Sequence, residues 1–127
     1  MPFYIIHHST PLSKPQCAAI ASHITTTHSE RFTAPRHFVN VKFEYQDPAI
    51  EPPTYVGGKP RRTNYIFAHV RDGGSRTAAD FNGVAAEISQ FWDTEIAPHL
   101  ARSTEEERVT GKGAHVPEEE REVSCVA

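Results

Sequence analysis

The sequence has little of what marks several large classes of protein. Only two of its 127 residues are cysteines, Cys17 and Cys125, and they form no CxxC pair. No apolar run is long enough to span a bilayer, and nothing before the first predicted strand resembles a signal peptide. The net charge of −3 gives no basic excess for nucleic acid. We therefore expect one cytoplasmic domain without a membrane or nucleic-acid partner.

Several catalytic motifs are also missing. The eight histidines include no HExxH pattern, and His7 and His8 fall on opposite faces of one strand, so a metal site is not favoured. Neither a Ser-His-Asp nucleophile elbow nor a phosphate-binding loop is found in the sequence. We expect no metal and no cofactor. Three aromatic residues, Tyr4, Phe67 and Trp92, are interpreted as core residues.

The sequence does contain a strand followed by a helix. Residues 3–8 are apolar and rich in β-branched residues, which predicts a buried strand. Ser13 and Gln16 form a capping box for a helix of about five turns that ends near Arg31. The apolar face of this helix consists of Cys17, Ile20, Ala21 and Ile24. The same spacing continues to His28, which should face the packed side near a helix C-terminus whose dipole favours an imidazolium.

A second strand completes the first unit. Residues 38–45 alternate in polarity, which predicts a strand parallel to the first through a right-handed crossover. The stretch that follows, residues 47–59, is rich in proline and glycine and predicts a loop with little regular structure.

The pattern then starts again. Residues 65–70 predict a third strand, which contains a histidine near its end as the first strand does. Thr77 and Asp80 form a second capping box, for a helix that runs to about Ile96. Pro98 is expected to end this helix.

The repeat defines the expected fold class. Two tandem βαβ-type units predict an α+β (α/β) domain over residues 1–98, with a mixed four-stranded sheet and both helices on one face. Residues 99–127 are charged and have no periodic pattern, which predicts a mobile tail. The repeat requires a fourth strand after His99, but no stretch there has the composition of one.

Two places could carry chemistry. If the initiator methionine is removed, Pro2 becomes a free secondary amine, and α-amino groups titrate near ~8, close to working pH. In the turn from Arg71 to Arg76, two glycines and a helix N-terminus could hold an anion between two arginines. The alternatives are an N-terminal residue without a role and a solvated polar turn. His28, taken alone, is either a satisfied buried histidine or a catalytic one.

These features together resemble a known family. The Met1–Pro2 start, the doubled βα organisation and the stretch from Thr33 to Phe43 (TAPRHFVNVKF) are similar to the tautomerase superfamily. Within it, the chain most resembles the group of cis-3-chloroacrylic acid dehalogenase and its fungal relatives. The resemblance covers residues 2–98, and it implies a tautomerase/MIF-like fold that assembles as a homotrimer.

The resemblance also implies roles for four residues. Pro2 matches the catalytic N-terminal proline, which is a general base in tautomerases and a general acid in the dehalogenase. His28, Arg71 and Arg76 match residues that bind the substrate carboxylate, although two extra residues separate the arginine pair here. The tyrosine and glutamate that position and activate water in the dehalogenase have no counterpart after His99.

The expected function is an enzyme of the isomerase class. It is a proline-dependent tautomerase of small 2-oxo or enol carboxylates, in which Pro2 acts as general acid and base. Weak hydratase or dehalogenase activity is left open, but hydrolytic dehalogenation is not favoured without the water-activating pair. The alternative is a catalytically inactive tautomerase-fold protein with a binding or structural role, which the patternless tail would suit.

Overall fold

Four strands form one mixed sheet. The computed structural model describes residues 2–71, 73–100 and 123–126. The strands in this part of the chain are β1 (Phe3–His8), β2 (Asn40–Tyr45), β3 (Thr54–Val56), β4 (Lys59–Arg61), β5 (Asn64–His69) and β6 (Val123–Val126). The four-stranded sheet has the order β2-β1-β5-β6, in which β1 is parallel to β2 and antiparallel to β5. The predicted mixed sheet is confirmed.

Two long helices begin at the capping boxes that the sequence predicts. Helix α1 spans Lys14–Phe32, and Ser13 and Gln16 exchange two hydrogen bonds, of 2.8 and 3.2 Å, at its start. Helix α2 spans Ala78–Phe91 and is capped in the same way by Thr77 and Asp80. Each box satisfies backbone N–H groups that the first turn of a helix leaves unpaired. No described helix is both long and apolar enough to cross a membrane.

The core lies between these helices and one face of the sheet. Along β1 the buried positions alternate with more exposed ones, so Tyr4 and Ile6 point towards the helices. Ile66 of β5 lies directly opposite Ile6. The helical segments contribute Ile20, Ile24, Val84, Ile88 and Trp92 to the same cluster. Both helices therefore cover one face of the sheet, as the sequence predicts.

The other face of the sheet is open and partly apolar. Phe67, which the sequence analysis assigned to the core, lies on this open face and is 39% exposed. The assignment was wrong because strand alternation turns Phe67 away from its buried neighbour Ile66. Phe3, which is 37% exposed, belongs to the same face. His7 packs against the aromatic rings of both Tyr65 and Phe67, at centroid distances of 4.6 and 5.7 Å.

A β-hairpin replaces much of the loop predicted over residues 47–59. Val56 pairs with Lys59, which leaves Gly57 and Gly58 as a two-residue turn with φ angles of 59° and 79°. Positive φ at both positions is the geometry of a type I′ hairpin turn. The loop prediction was wrong because strands of only three residues show no alternation that a sequence pattern can reveal.

The helical segment after β5 does not end at Pro98. A π-helical turn, Trp92–Ile96, follows α2, and helix α3 (Ala97–Leu100) follows the turn. The N–H of Ala97 donates to the carbonyl of Trp92, five residues back. This wider turn resets the register, so Pro98 falls in the first turn of α3, where its missing N–H is not needed. The prediction that Pro98 ends the helix was therefore wrong.

β6 is the strand that the repeat requires and that the sequence analysis did not find. It pairs in parallel with β5, from the pair Asn64↔Val123 to the pair Phe67↔Val126. The fourth strand that the repeat requires is therefore confirmed, and composition did not reveal it because pairing with a neighbouring strand defines it. Residues 101–122 lie outside the described residues, so the boundary at residue 98 and the mobile tail stay predictions.

Replacing Ile24 with alanine should lower the free energy of unfolding by about 2–5 kcal/mol, because a cavity would open in the core. Ile24 is 0% exposed, whereas Ile50, the matched control, is 79% exposed. We expect Ile50→Ala to change the free energy by less than about 0.5 kcal/mol. Urea unfolding measures both values, and equal losses in the two variants would contradict this account of the core.

Candidate active site

His28 is a completely buried residue at the centre of the candidate site. It lies one helical turn after Ile24 on the packed face of α1. Its Nδ1 atom is 2.7 Å from the hydroxyl oxygen of Tyr4 on β1, a buried hydrogen bond between strand and helix. The Phe32 ring lies 4.8 Å away, between ring centroids. Nε2 finds no hydrogen-bond partner among the residues that the structure describes.

Burial keeps the His28 ring neutral. Burial, with a smaller contribution from the positive charge of Arg76, lowers the pKa of His28 from 6.5 to about 4. The expectation of an imidazolium favoured by the helix dipole was therefore wrong. A helix terminus offers a cation about 0.3–1 kcal/mol at an exposed position, which is less than the cost of moving a charged ring out of water.

The turn before α2 brings Arg76 against Phe32, close enough to His28 for its charge to lower the pKa of that histidine. Gly73 and Gly74 have φ angles of 116° and 63°, which glycine adopts at little cost. The guanidinium carbon of Arg76 lies 4.5 Å from the centroid of the Phe32 ring, a cation–π contact. Because Phe32 also contacts His28, these side chains and that of Tyr4 form one group, which we call the His28 cluster: Tyr4, His28, Phe32 and Arg76.

Arg71, the other arginine that the resemblance implicates, lies at the surface. Its carbonyl oxygen accepts a hydrogen bond of 2.8 Å from Nη1 of Arg76. The backbone of Arg71 therefore helps to fix the direction of the Arg76 side chain. It is Arg76, the arginine further along the chain, that reaches the His28 cluster.

Pro2 is buried at the start of β1. Its carbonyl oxygen accepts a hydrogen bond of 3.0 Å from the backbone N–H of Asn40, which ties the N-terminus to the start of β2. Because side chains alternate along a strand, Pro2 lies on the same face of the sheet as Tyr4. The proline and the His28 cluster therefore share the face that the helices cover.

A cavity of about 140 Å³ opens beside the His28 cluster. Most of its lining is apolar and includes Tyr4, Phe32, Ile66, Ala68, Val70 and Phe81. Tyr4 and Phe32 belong to the cluster, and Val70 directly follows β5 at the end of the sheet where Pro2 precedes β1. Apolar cavities of about 150 Å³ can hold a molecule the size of benzene. The volume therefore suits a small apolar group of about that size.

Two members of the cluster were not predicted as site residues. Tyr4 was assigned only to the core, and Phe32 was given no role. Tyr4 lies 24 positions from His28, so no local spacing connects the pair. The available signal was the tyrosine itself, since a hydroxyl in a buried strand requires a hydrogen-bond partner.

Two helices cover one face of a mixed sheet, and a buried proline precedes the first strand. A small cavity lies beside the His28 cluster. These features together define a protein of the tautomerase fold class. The family model Tautomerase_3, described as "Putative oxalocrotonate tautomerase enzyme", matches residues 1–126. The chain belongs to this tautomerase family, as its resemblance indicated.

Solved structures of other tautomerase-fold proteins share the fold. N1, a member of the cis-3-chloroacrylic acid dehalogenase (cis-CaaD) family, is 21% identical with a TM-score of 0.64, covering 97% of this chain and 71% of that chain. The fused 4-OT F6, an asymmetric trimer, is 13% identical with a TM-score of 0.59, covering 98% of this chain and 82% of that chain. The macrophage migration inhibitory factor of Toxoplasma gondii is 14% identical with a TM-score of 0.55, and the match covers 98% of this chain and 85% of that chain. No curated protein matches the chain by sequence.

Acid should destabilise the protein through His28. Because the pKa of His28 is about 4 when folded and ordinarily 6.5, the unfolded chain takes up the proton first as the pH falls. The stability that the neutral His28 gives the folded state is fully present above the ordinary pKa of histidine. It is lost as the pH falls towards the pKa of the folded state, and the loss amounts to about 3 kcal/mol of the free energy of unfolding. Urea unfolding at several pH values should show a shallower pH dependence for His28→Gln than for wild type.

His37→Gln is the matched control, because His37 is exposed on the short 3-10 turn before β2. This variant should keep the pH dependence of the wild type. The same pH dependence in His28→Gln and wild type would contradict a buried, neutral His28.

Proposed function

We propose that this protein is a proline-dependent tautomerase that interconverts the keto and enol forms of small 2-oxo carboxylates. Its family membership supports a tautomerase-type reaction. The observation that carries the proposal is the His28 cluster beside the cavity, on the face of the sheet that also holds Pro2. A cation and a hydrogen-bond donor suit the carboxylate, and an amine suits the proton that moves.

Pro2 is the proposed proton carrier. After removal of the initiator methionine, its secondary amine takes a proton from carbon 3 of the 2-oxo acid. The electron pair of the broken C–H bond forms the new C=C bond, and the carbonyl π pair moves onto the 2-oxo oxygen, which takes a proton from water to give the enol. In the reverse direction the C=C pair takes the proton of the Pro2 ammonium at carbon 3, the hydroxyl proton passes to water, and an oxygen electron pair restores the C=O bond.

Arg76, His28 and Arg71 are the proposed ligands of the substrate carboxylate. The guanidinium of Arg76 contacts the Phe32 ring and the carbonyl oxygen of Arg71, so it is oriented before substrate arrives. Its remaining N–H groups can then bind a carboxylate without reorganisation. His28 contributes as a neutral donor, and Arg71 approaches from the surface.

Replacing Pro2 with alanine should lower kcat for ketonisation of the enol of phenylpyruvate by about 10²–10⁴-fold, the range of general acid–base catalysis. The variant keeps an N-terminal amine but loses the rigid secondary amine. Loss of the enol absorbance gives the rate. Pro52→Ala, in the exposed loop before β3, is the matched control and should keep wild-type turnover.

Intact mass must accompany the rates, because the mechanism needs a free amine at Pro2. A halogenated propiolate should add once to the wild type, at Pro2, and not to a chain that keeps Met1. Wild-type rates in Pro2→Ala would rule out the proposed proton carrier. Retention of Met1 in the mature protein would do the same, since the proline nitrogen would then be an amide.

The alternative function, an inactive tautomerase-fold protein with a binding or structural role, drew its support from the missing closing strand. β6 supplies a fourth strand beside β5, so that support is gone. A wild-type protein with a free Pro2 amine and no ketonisation activity would favour the alternative function over the proposed tautomerase activity.

We also propose that the protein assembles as a homotrimer through the open face of its sheet. This face exposes Phe3 and Phe67, at 37% and 39%, around the stacked rings of His7 and Tyr65. Large apolar side chains grouped on a surface mark sites of protein association. The fused 4-OT, which has the same fold, forms a trimer.

Phe67→Lys should reduce the native mass from that of a trimer to that of a monomer, because each interface would then bury an unpaired charge. Native mass spectrometry and sedimentation velocity measure the change. Ile50→Lys, at a position 79% exposed, is the control and should leave the mass unaltered. A wild-type protein that sediments as a monomer at micromolar concentration would overturn the proposed assembly.

A further inference from the structure

We propose that Tyr4 is a positioning residue that holds the neutral ring of His28 in the tautomer with its hydrogen on Nε2. The inference rests on the proposed function, because the Nε2–H group is the donor that His28 would offer to the substrate carboxylate. It assigns a role to a residue that sequence analysis placed only in the core.

The geometry restricts how the two side chains can interact. The hydroxyl oxygen of Tyr4 lies 2.7 Å from Nδ1 of His28, and the ring planes are inclined by 82°. Both residues are removed from solvent, with exposures of 1% and 0%. A neutral imidazole carries one hydrogen, so one of its nitrogens donates and the other accepts. A hydroxyl that donates to Nδ1 therefore places the hydrogen on Nε2.

The direction of this hydrogen bond follows from the chemistry of its partners. A phenol is a stronger acid than a neutral imidazole N–H, and an imidazole nitrogen is a stronger base than a phenol oxygen. The arrangement O–H···N is therefore favoured over N–H···O. The tautomer matters because the ring is neutral, since burial and Arg76 both lower the pKa of His28.

The other ring nitrogen of His28, Nε2, indicates what this tautomer could do. Nε2 is buried and has no hydrogen-bond partner among the described residues. Buried polar atoms without partners are rare in native proteins and require an explanation. A carboxylate held by Arg76 could accept the Nε2–H, whereas the opposite tautomer would present a lone pair to an anion. The donor of His28 would then be satisfied when substrate binds.

Nitrogen NMR of the histidine rings tests the proposal without any substrate. In protein labelled with ¹⁵N at histidine, long-range proton–nitrogen spectra at neutral pH distinguish the protonated ring nitrogen from the bare one. The His28→Gln variant assigns the His28 signals by their disappearance. We expect wild-type His28 in the Nε2–H form, and the Nδ1–H form or an equal mixture would overturn the proposal.

Tyr4→Phe tests whether the hydroxyl sets the tautomer. The variant should give mixed His28 tautomers and raise KM about tenfold, the effect of one hydrogen bond to a charged group. Its kcat should change by less than threefold, because carboxylate contacts are shared by ground and transition states. Tyr55→Phe, on the exposed hairpin, is the matched control and should retain wild-type spectra and kinetics.

The outcomes separate this inference from the proposed function. A Tyr4→Phe protein that keeps a pure Nε2–H form and the wild-type KM would show that Tyr4 does not determine the tautomer of His28. If that variant does not fold, the wild-type spectrum alone still decides the tautomer. If the wild type shows the Nε2–H form but Pro2→Ala retains full activity, the proposed function fails while the tautomer assignment stands.

Discussion

The buried hydrogen bond between Tyr4 and His28 is the constraint on which the candidate site depends. It joins the first strand to the first helix where neither side chain reaches water. A partner lost there would leave a buried polar group, which costs more than the hydrogen bond itself contributes. The bond thus fixes His28 against the sheet, and Phe32, one turn further along α1, contacts both His28 and Arg76.

The electrostatics of the site follow from that burial. A charged His28 would be a cation cut off from water, and it would also be repelled by the positive charge of Arg76, so both burial and repulsion oppose it. The cluster therefore has one cation, Arg76, and that cation contacts an aromatic ring and a backbone carbonyl oxygen. In the proposed function, an anionic substrate would bring a negative charge to this cation. This arrangement supports the proposal that the substrate is a small carboxylate rather than a neutral molecule of the same size.

The parts of the fold that could be predicted from sequence depend on local rules. Both capping boxes, the long helices and the strands beside α1 follow from spacing and side-chain chemistry within a few residues. The elements that could not be predicted from sequence depend on contacts with other parts of the structure. The three-residue strands of the hairpin, the π turn before Pro98 and strand β6 are defined by a tight glycine turn, a register shift and a neighbouring strand. At the site, the resemblance named His28 and Arg76, but the Tyr4–His28 bond spans 24 positions and is visible only in three dimensions.

The distribution of side chains on the sheet is unusual for a domain that acts alone. In a sheet with one wet face, apolar residues normally turn inward and polar ones outward. Here β1 buries the hydroxyl of Tyr4 and the ring of His8 under the helices, while Phe3 lies on the open face beside Phe67 of β5. Tyr4 also lines the cavity, whose lining is mostly apolar. Aromatic groups on the open face lack a covering layer within the described chain. The proposed active site on the covered face and the proposed trimer interface on the open face would account for both distributions, because a sheet covered on its two sides need not follow the inside–outside alternation.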